Sequence, residues 1–377
     1  MRFPESGHEV EAVVVGAGQA GLSGAYHLQR AGWEPGRDFV VLDGSPRPGG
    51  AWQFRWPTLT YGRVHAMNAL PGMALTGADP GRPSAEVIGE YFTAYERAFG
   101  LRVRRPVRVR AVREAGDGRL RVETDAGVWT TRALINATGT WERPFWPRVP
   151  GQETFAGRQL HTARYRGPES FAGERVVVVG GGTSAVQHLL EISRVAAATT
   201  WVTRREPVFT DGPFDEERRR AAVALVAERV RDGLPPRSVV SVTGLPLTEE
   251  MRRARESGVL RRLPMFDRIA PGGVVWDDGR AVAADSIVWA TGFRAALGHL
   301  APLGLREAGG GIRLEGTRVV RDPRIHLVGY GPSASTIGAN RAGRAAVREL
   351  RALLSSGSAR GPAGGDGPAP AGTAEAA

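Results

Sequence analysis

Two glycine clusters in this chain have the spacing of turns that hold phosphates. The first is Gly16-x-Gly18-x-x-Gly21, with Gln19 and Ala20 inside it, and it follows the apolar run Ala12–Val15. In such a turn the first glycine permits a tight bend, the second lets backbone approach a pyrophosphate, and the third lets the following helix pack on the strand. The unpaired N–H groups of that helix would face the phosphates. Asp43 ends the next apolar run, Phe39–Leu42, and is positioned to accept hydrogen bonds from a ribose.

The second cluster is Gly180-Gly181-Gly182-Thr183-Ser184-Ala185, the variant with alanine at the third position, so Gly180, Gly182, Thr183 and Ser184 form a second phosphate cradle. Where a site for NADH would carry an acid, this chain has Arg204-Arg205. An arginine fork suits a 2′-phosphate, which favours NADPH, although in an arginine-rich chain the pair also reads as ordinary surface charge.

The elements that must carry these turns are legible from pattern. Ala12–Val15 and Val176–Val179 are continuous apolar runs, as expected of parallel strands buried on both faces. Leu22, Ala25, Tyr26 and Leu28 recur at helical spacing. Residues 102–137 alternate apolar and polar residues, which predicts an antiparallel meander returning to the sheet. Residues 214–262 are polar and helix-forming, and predict two helices around a loop at Gly233–Pro236. The stretch VVWDDGRAVAADSIVWATG repeats the meander and return. A last helix is expected over Ala339–Leu354, and residues 355–377, rich in Gly, Ala, Pro and Ser, predict a disordered tail.

Composition narrows the chemistry. The chain of 377 residues has no cysteine, which excludes disulfides, thiolate metal sites and a dithiol redox centre. Its net charge of +11 comes from arginines that are scattered rather than arranged as a basic stripe with aromatics, so nucleic acid is not an expected partner. The histidines show no ligand spacing, so no metal is expected. No apolar run approaches the ~20 residues of a membrane helix. With the first strand starting near Val10 there is no room for a signal peptide, and a cytoplasmic protein is expected.

Further along, several short motifs follow one another in order. They are RPGGAW (Arg47–Trp52, with Gly50 and Trp52), NATGTWERPFWPRVPG (with Ala137, Thr138 and Gly139), and Phe155-x-Gly157-x-x-x-His161-x-x-x-Tyr165. WATGF (with Thr291 and Gly292) and VGYGPSASTIGAN (with Gly329 and Ile337) complete the series. In this the chain resembles the flavin-containing monooxygenase group of flavoproteins with two dinucleotide-binding domains, over nearly its whole length to about Leu354. The resemblance implies an α/β fold of two Rossmann-like three-layer domains, with the NADPH domain inserted into the FAD domain. Residues 1–154 and 293–354 would form the FAD domain, and residues 155–292 the NADPH domain with its helical insertion. Val109, in the meander, joins the implied cofactor contacts.

The implied activity is oxygenation of a small organic molecule. NADPH reduces FAD, and the reduced flavin takes up O2 as a C4a-(hydro)peroxide that bound NADP shields from water. The fingerprint ends in Tyr165 followed by Arg166 rather than in the Trp usual in Baeyer–Villiger enzymes, which resembles the heteroatom-hydroxylating and related branches. Asn68 is the candidate for supporting the flavin adduct, or a turn residue before LPG; His65 and Asn340 are lesser candidates. His161 reads either as a proton-transfer group or as a hinge residue. Trp52, Trp56 and Tyr61 are candidate pocket walls. An oxidase or reductase without oxygenation, and a regulatory flavoprotein, are the competing functions, and an oligomer is compatible with all of them.

Overall fold

The computed structural model describes residues 7–64, 67–210, 216–236 and 244–358. The chain opens with strand β1 (His8–Val15), helix α1 (Gln19–Arg30) and strand β2 (Phe39–Leu42), with β1 and β2 parallel. Helix α2 (Ser84–Ala98) covers this unit. The expected meander follows as β3 (Val109–Glu114), β4 (Leu120–Thr124) and β5 (Gly127–Asn136), and β5 returns to lie parallel to β1.

A second unit begins with β6 (Arg158–His161), β7 (Arg175–Val179), helix α3 (Thr183–Ile192) and β8 (Ala198–Thr203). Helices α4 (Glu216–Arg231) and α5 (Glu249–Glu256) occupy the polar stretch, with the loop at Gly233–Pro236 between them; residues 211–215 and 237–243 lie outside the described residues. Then come β9 (Arg262–Pro264), the meander β10 (Arg268–Ala270), β11 (Gly273–Val275) and β12 (Ala281–Ala283), and β13 (Ser286–Trp289). The second sheet runs β9-β8-β7-β13-β6, parallel throughout. Its meander differs from the first, because β10–β12 pair only with one another and form a separate three-stranded sheet.

The chain then re-enters the first sheet through β14 (Leu314–Glu315), β15 (Arg318–Val319) and β16 (Ile325–Leu327), giving the order β14-β15-β16-β5-β1-β2 with β16 parallel to β5. Helix α6 (Thr336–Ser358) closes the first unit; it starts earlier and runs further than expected, and the rest of the predicted tail lies outside the described residues.

Alternation on the strands builds a core on each face. Ala12 and Val14 pack with Leu22, Leu28, Phe92 and Leu350, while Val13 and Val15 pack with Val112, Leu120, Trp129 and Leu300. In the second sheet Val176 and Val178 face Val186 and Leu189 of α3, and Val177 and Val179 face Phe155 and Trp276. Each such side chain taken from water contributes about 1.5–3 kcal/mol. These two-sided cores explain why the strand sequences are apolar without alternation. Among the described residues no helix is long and apolar enough to cross a membrane.

Candidate functional site

The two glycine turns are built alike. Gly16 has φ of +99°, and a Cβ placed there would come within 2.6 Å of the carbonyl oxygen of Ala137. Gly180 has φ of +148°, and a Cβ there would run into the carbonyl oxygen of Ala290. In each unit the Ala-Thr-Gly segment that follows the return strand is pressed against the glycine turn, which only glycine permits. Gly21 lies in α1 against the backbone of Gly16, the close helix–strand packing its spacing predicted. Helices α1 and α3 begin at Gly18 and Gly182 with no side-chain cap and no acid in the first turn. Their free N–H groups and positive dipole ends are open to an anion.

A cavity of about 610 Å³ opens at the first turn. Its wall includes Gly16, Gly18, Gln19, Ala20, Asp43, Gly50, Trp52, Val109, Ala137, Thr138, Gly139 and Gly329. Those candidates, drawn from six separate stretches of sequence, are therefore brought together. Gly21 and Ile337 are not on the wall, although Ser335 and Thr336 beside Ile337 are. The N-terminal ends of α1 and α6 both reach this cavity. At its other end the Asp43 carboxylate accepts from Arg105 Nε at 3.0 Å, and Arg105 also forks onto Glu96 at 2.7 and 2.9 Å.

Asn68 is joined to the cavity through two wall residues, Thr336 and Gln19. Its Nδ2 donates to Thr336 Oγ1 at 2.9 Å, and its carbonyl accepts from Gln19 Nε2 at 3.1 Å. Gln19 also donates to Asn340 Oδ1 at 2.9 Å, which ties Asn340 into the same network, and Gln19 Oε1 is buried with no protein partner. His65 lies outside the described residues.

His161 is bonded on both ring nitrogens to backbone. Nδ1 accepts from the N–H of Ala163 at 3.1 Å and Nε2 lies 3.0 Å from the carbonyl oxygen of Gly292, so the neutral tautomer with a proton on Nε2 satisfies both. Burial lowers its pKa from the ordinary value. The ring stands edge-on to Phe293 at 5.0 Å and is not part of the cavity wall.

The other fingerprint residues also fasten chain to chain. Phe155 is buried in the second core, and a Cβ on Gly157 would collide with the carbonyl oxygen of Asp285. The Tyr165 hydroxyl donates to Glu191 Oε2 at 2.9 Å. Glu191, on α3, is buried and also accepts from Thr58 Oγ1 at 2.8 Å and Arg63 at 3.3 Å, both from the first unit. Trp56 is not a pocket wall: it is 2% exposed and packs edge-on to His188 at 4.6 Å and Tyr165 at 5.8 Å. Tyr61 packs at the edge of the first core, and of the three aromatics only Trp52 lines the cavity.

Sequence reasoning missed three features. His299 lines the cavity and its Nε2 lies 2.7 Å from Asn136 Oδ1; burial lowers its pKa to about 4, so it is neutral. Trp141 continues a stack from Phe54 (6.0 Å) to Phe293 (4.9 Å). Arg55 sits against Trp52 and Trp141. Trp141 follows the ATG motif by two residues, a signal that proximity to the turn could have supplied; His299 and Arg55 depend on long-range packing.

In the second unit Arg204 and Arg205 are exposed at the end of β8 and have no acidic partner among the described residues. Arg262, on the neighbouring strand, donates to Thr203 Oγ1 at 2.7 Å beside them. Among the described residues no group of His, Asp and Glu has the arrangement of a metal site.

The fold and the paired turns define a flavoprotein-type oxidoreductase with two nucleotide-binding units. Residues 13–219 match the family described as pyridine nucleotide-disulphide oxidoreductase. A flavin-containing monooxygenase from Stenotrophomonas maltophilia is 37% identical, with a TM-score of 0.77 over 92% of this chain and 99% of that one. The indole-3-pyruvate monooxygenase YUCCA1 of Oryza sativa subsp. japonica is 28% identical over 343 residues, 83% of this chain and 82% of that protein. Cyclohexanone monooxygenase, at 18% identity and a TM-score of 0.65 over 94% of this chain and 88% of that one, shares the fold. The chain belongs to the pyridine nucleotide-disulphide oxidoreductase family, in its flavin-containing monooxygenase branch. It is an oxidoreductase without cysteine, so the dithiol chemistry in the family's name is not available to it.

Proposed function

We propose that this chain is an FAD-containing monooxygenase that consumes NADPH and oxygenates a small organic molecule. The observation that carries this reading is the repeated turn: Gly16 against Ala137 and Gly180 against Ala290, each opening a helix with unpaired N–H groups. The residues fit FAD in the first unit. Gly16, Gly18, Gln19 and Ala20 would hold its pyrophosphate, and Asp43 its ribose. Ala137, Thr138, Gly139 and Val109 would line its length, with Gly50, Trp52, Gly329 and Ile337 near its ring. The buried, unpartnered Oε1 of Gln19 is a polar group such a ring would satisfy. In the second unit Gly180, Gly182, Thr183 and Ser184 would hold the pyrophosphate of NADPH, Arg204 and Arg205 its 2′-phosphate, and Thr291 and Gly292 the chain beyond.

Bound together, these cofactors supply hydride transfer and the activation of O2. The protein's part is to orient and to exclude water. The stack Phe54–Trp141–Phe293 sets apolar rings at the cavity, whose wall includes Phe54 and Trp141, and a water-excluded site strengthens every polar contact within it. Asn68, held by Thr336 and Gln19, is a fixed amide one hydrogen bond from the cavity wall, and is the candidate for steadying the reacting centre. His161 acts as a positioning residue, because both of its nitrogens are committed to backbone.

The test is turnover with isotopically labelled O2, scoring NADPH consumed, hydrogen peroxide released and label in the product over a panel of small molecules. Label in a product, in step with NADPH use, is expected. If all consumption across the panel appeared as peroxide, the protein would be an NADPH oxidase instead.

A further inference from the structure

The tautomer of His299 is set by a chain of hydrogen bonds that ends on a backbone carbonyl. Thr138 Oγ1 donates to the carbonyl oxygen of Ala296 at 2.8 Å, so its single proton is committed there. Asn136 Nδ2, 3.0 Å from Thr138 Oγ1, is therefore the donor in that contact, and Asn136 turns its Oδ1 toward His299. His299 Nε2 lies 2.7 Å from that oxygen and must carry the proton. Burial lowers the pKa of His299 to about 4, so at neutral pH the ring is uncharged and Nδ1 keeps a bare lone pair. His299 is the one histidine on the cavity wall. Its Nδ1 has no partner among the described residues and is not sealed from the cavity.

An acceptor fixed in this way selects the part of FAD that faces it. It repels a phosphate oxygen and gains nothing from an aromatic C–H, but it pairs with an O–H or N–H. Strand register then locates it along the cofactor. Leu42, Val15, Asn136 and Leu327 lie level across the adjacent strands β2, β1, β5 and β16. Asp43, the ribose contact, follows the first of these residues, and Gly16, the pyrophosphate turn, follows the second. Asn136 ends β5, one strand and about 4.8 Å further from Asp43. The next strand, β16, leads to Gly329, which stands near the flavin ring. His299 is bonded to Asn136, and so stands between the pyrophosphate and the ring. The part of FAD that joins those two is the ribityl chain, and the donors it carries are hydroxyls.

We propose that His299 Nδ1 accepts a hydrogen bond from a hydroxyl of the FAD ribityl chain, and that Asn136 and Thr138 position it to do so by fixing its tautomer. This rests on the placement of FAD in the first unit. The probes are FAD and its analogues lacking the 2′-, 3′- or 4′-hydroxyl of the ribityl chain, titrated into the apoprotein while flavin fluorescence is followed. One analogue should bind the wild-type apoprotein about three- to tenfold more weakly than FAD, as the loss of one neutral hydrogen bond predicts. Two variants separate binding from structure. Glutamine can place an amide N–H where Nε2 stands, which keeps the bond to Asn136 and removes the acceptor. Asparagine can place its oxygen where Nδ1 stands, which keeps the acceptor and gives up Asn136. His299→Gln should therefore keep the thermal stability of the wild-type apoprotein, bind FAD about three- to tenfold more weakly, and no longer distinguish that analogue from FAD. His299→Asn should lose stability yet bind FAD more tightly than the glutamine variant does, and still discriminate. Wild-type apoprotein that binds all three analogues as tightly as FAD overturns the proposal. So does a glutamine variant that binds FAD as the wild type does or still discriminates, or an asparagine variant that binds FAD no better than the glutamine variant. Wild-type apoprotein that takes up no FAD would remove the placement of the cofactor itself, whereas tight uptake that ignores the ribityl hydroxyls would remove only the role of His299.

Discussion

Tyr165→Phe isolates the contact that joins the two units. The phenylalanine ring keeps the packing against His188 (3.9 Å) and Phe171 (5.9 Å), so no cavity is created and only the hydroxyl is lost. That hydroxyl is 2.9 Å from a buried carboxylate, and burial together with Glu191 raises its pKa, so it remains a protonated donor at every working pH. A hydrogen bond to a charged group contributes about 1.5–3 kcal/mol. Glu191 would retain Thr58 at 2.8 Å and Arg63 at 3.3 Å, which places the expected loss near the middle, about 2 kcal/mol. The assay is urea denaturation followed by both flavin fluorescence and far-ultraviolet circular dichroism, coincident curves licensing a two-state reading. A double-mutant cycle with Thr58→Val should show a coupling of about 0.5 kcal/mol or more, because both hydroxyls bind one carboxylate. KM for NADPH should rise in the single variant, as the second unit is held less firmly against the first. A stability change below about 0.5 kcal/mol, in the range of an ordinary surface substitution, would refute the claim that the fingerprint tyrosine anchors the units through Glu191.

Three further outcomes follow from the site. Gly16→Ala places a Cβ 2.6 Å from the Ala137 oxygen at a φ of +99° and should be purified without flavin, whereas Gly180→Ala should stay yellow yet resist reduction by NADPH; flavin content and anaerobic bleaching separate the two. Arg204→Ala should raise KM for NADPH about tenfold or more and leave NADH nearly unchanged, and an equal effect on both nucleotides would exclude Arg204 as the 2′-phosphate contact. His188 is buried and neutral, with its pKa lowered from 6.5 to about 3 by burial first and then by Arg55 and His161. The unfolded chain binds this proton near 6.5 and the folded chain does not, so the stability is complete above pH 6.5 and is lost as pH falls toward 3, with a ceiling of about 5 kcal/mol. His299 and His326, both lowered to about 4, add to that slope, so His188→Gln should flatten the fall of Tm with acidification without removing it.

The parts of this molecule that were legible beforehand are those encoded locally. Phe39–Leu42 is a strand at the bounds its apolar run predicted, because a parallel strand buried on both faces leaves a continuous signature. The glycine turns, the strand Gly127–Asn136 and the return to Trp289 carry signals of the same local kind. What escaped is set by contacts far apart in sequence. Nothing near Trp56 shows that it faces the second unit and packs on His188, and nothing near Asp43 shows that Arg105 and Glu96 share its charge. His161 illustrates the limit: its spacing in the fingerprint was plain, but only the folded structure shows that both of its ring nitrogens are bonded to backbone.

The central claim is that electrons pass from a nucleotide at the Gly180 turn to a flavin at the Gly16 turn within this one chain. Anaerobic titration of the purified protein with NADPH, following the flavin absorption band, tests it most directly. One equivalent of NADPH per bound flavin should bleach the band. A protein that holds no FAD after reconstitution, or whose flavin stays oxidised in excess NADPH, would contradict the account.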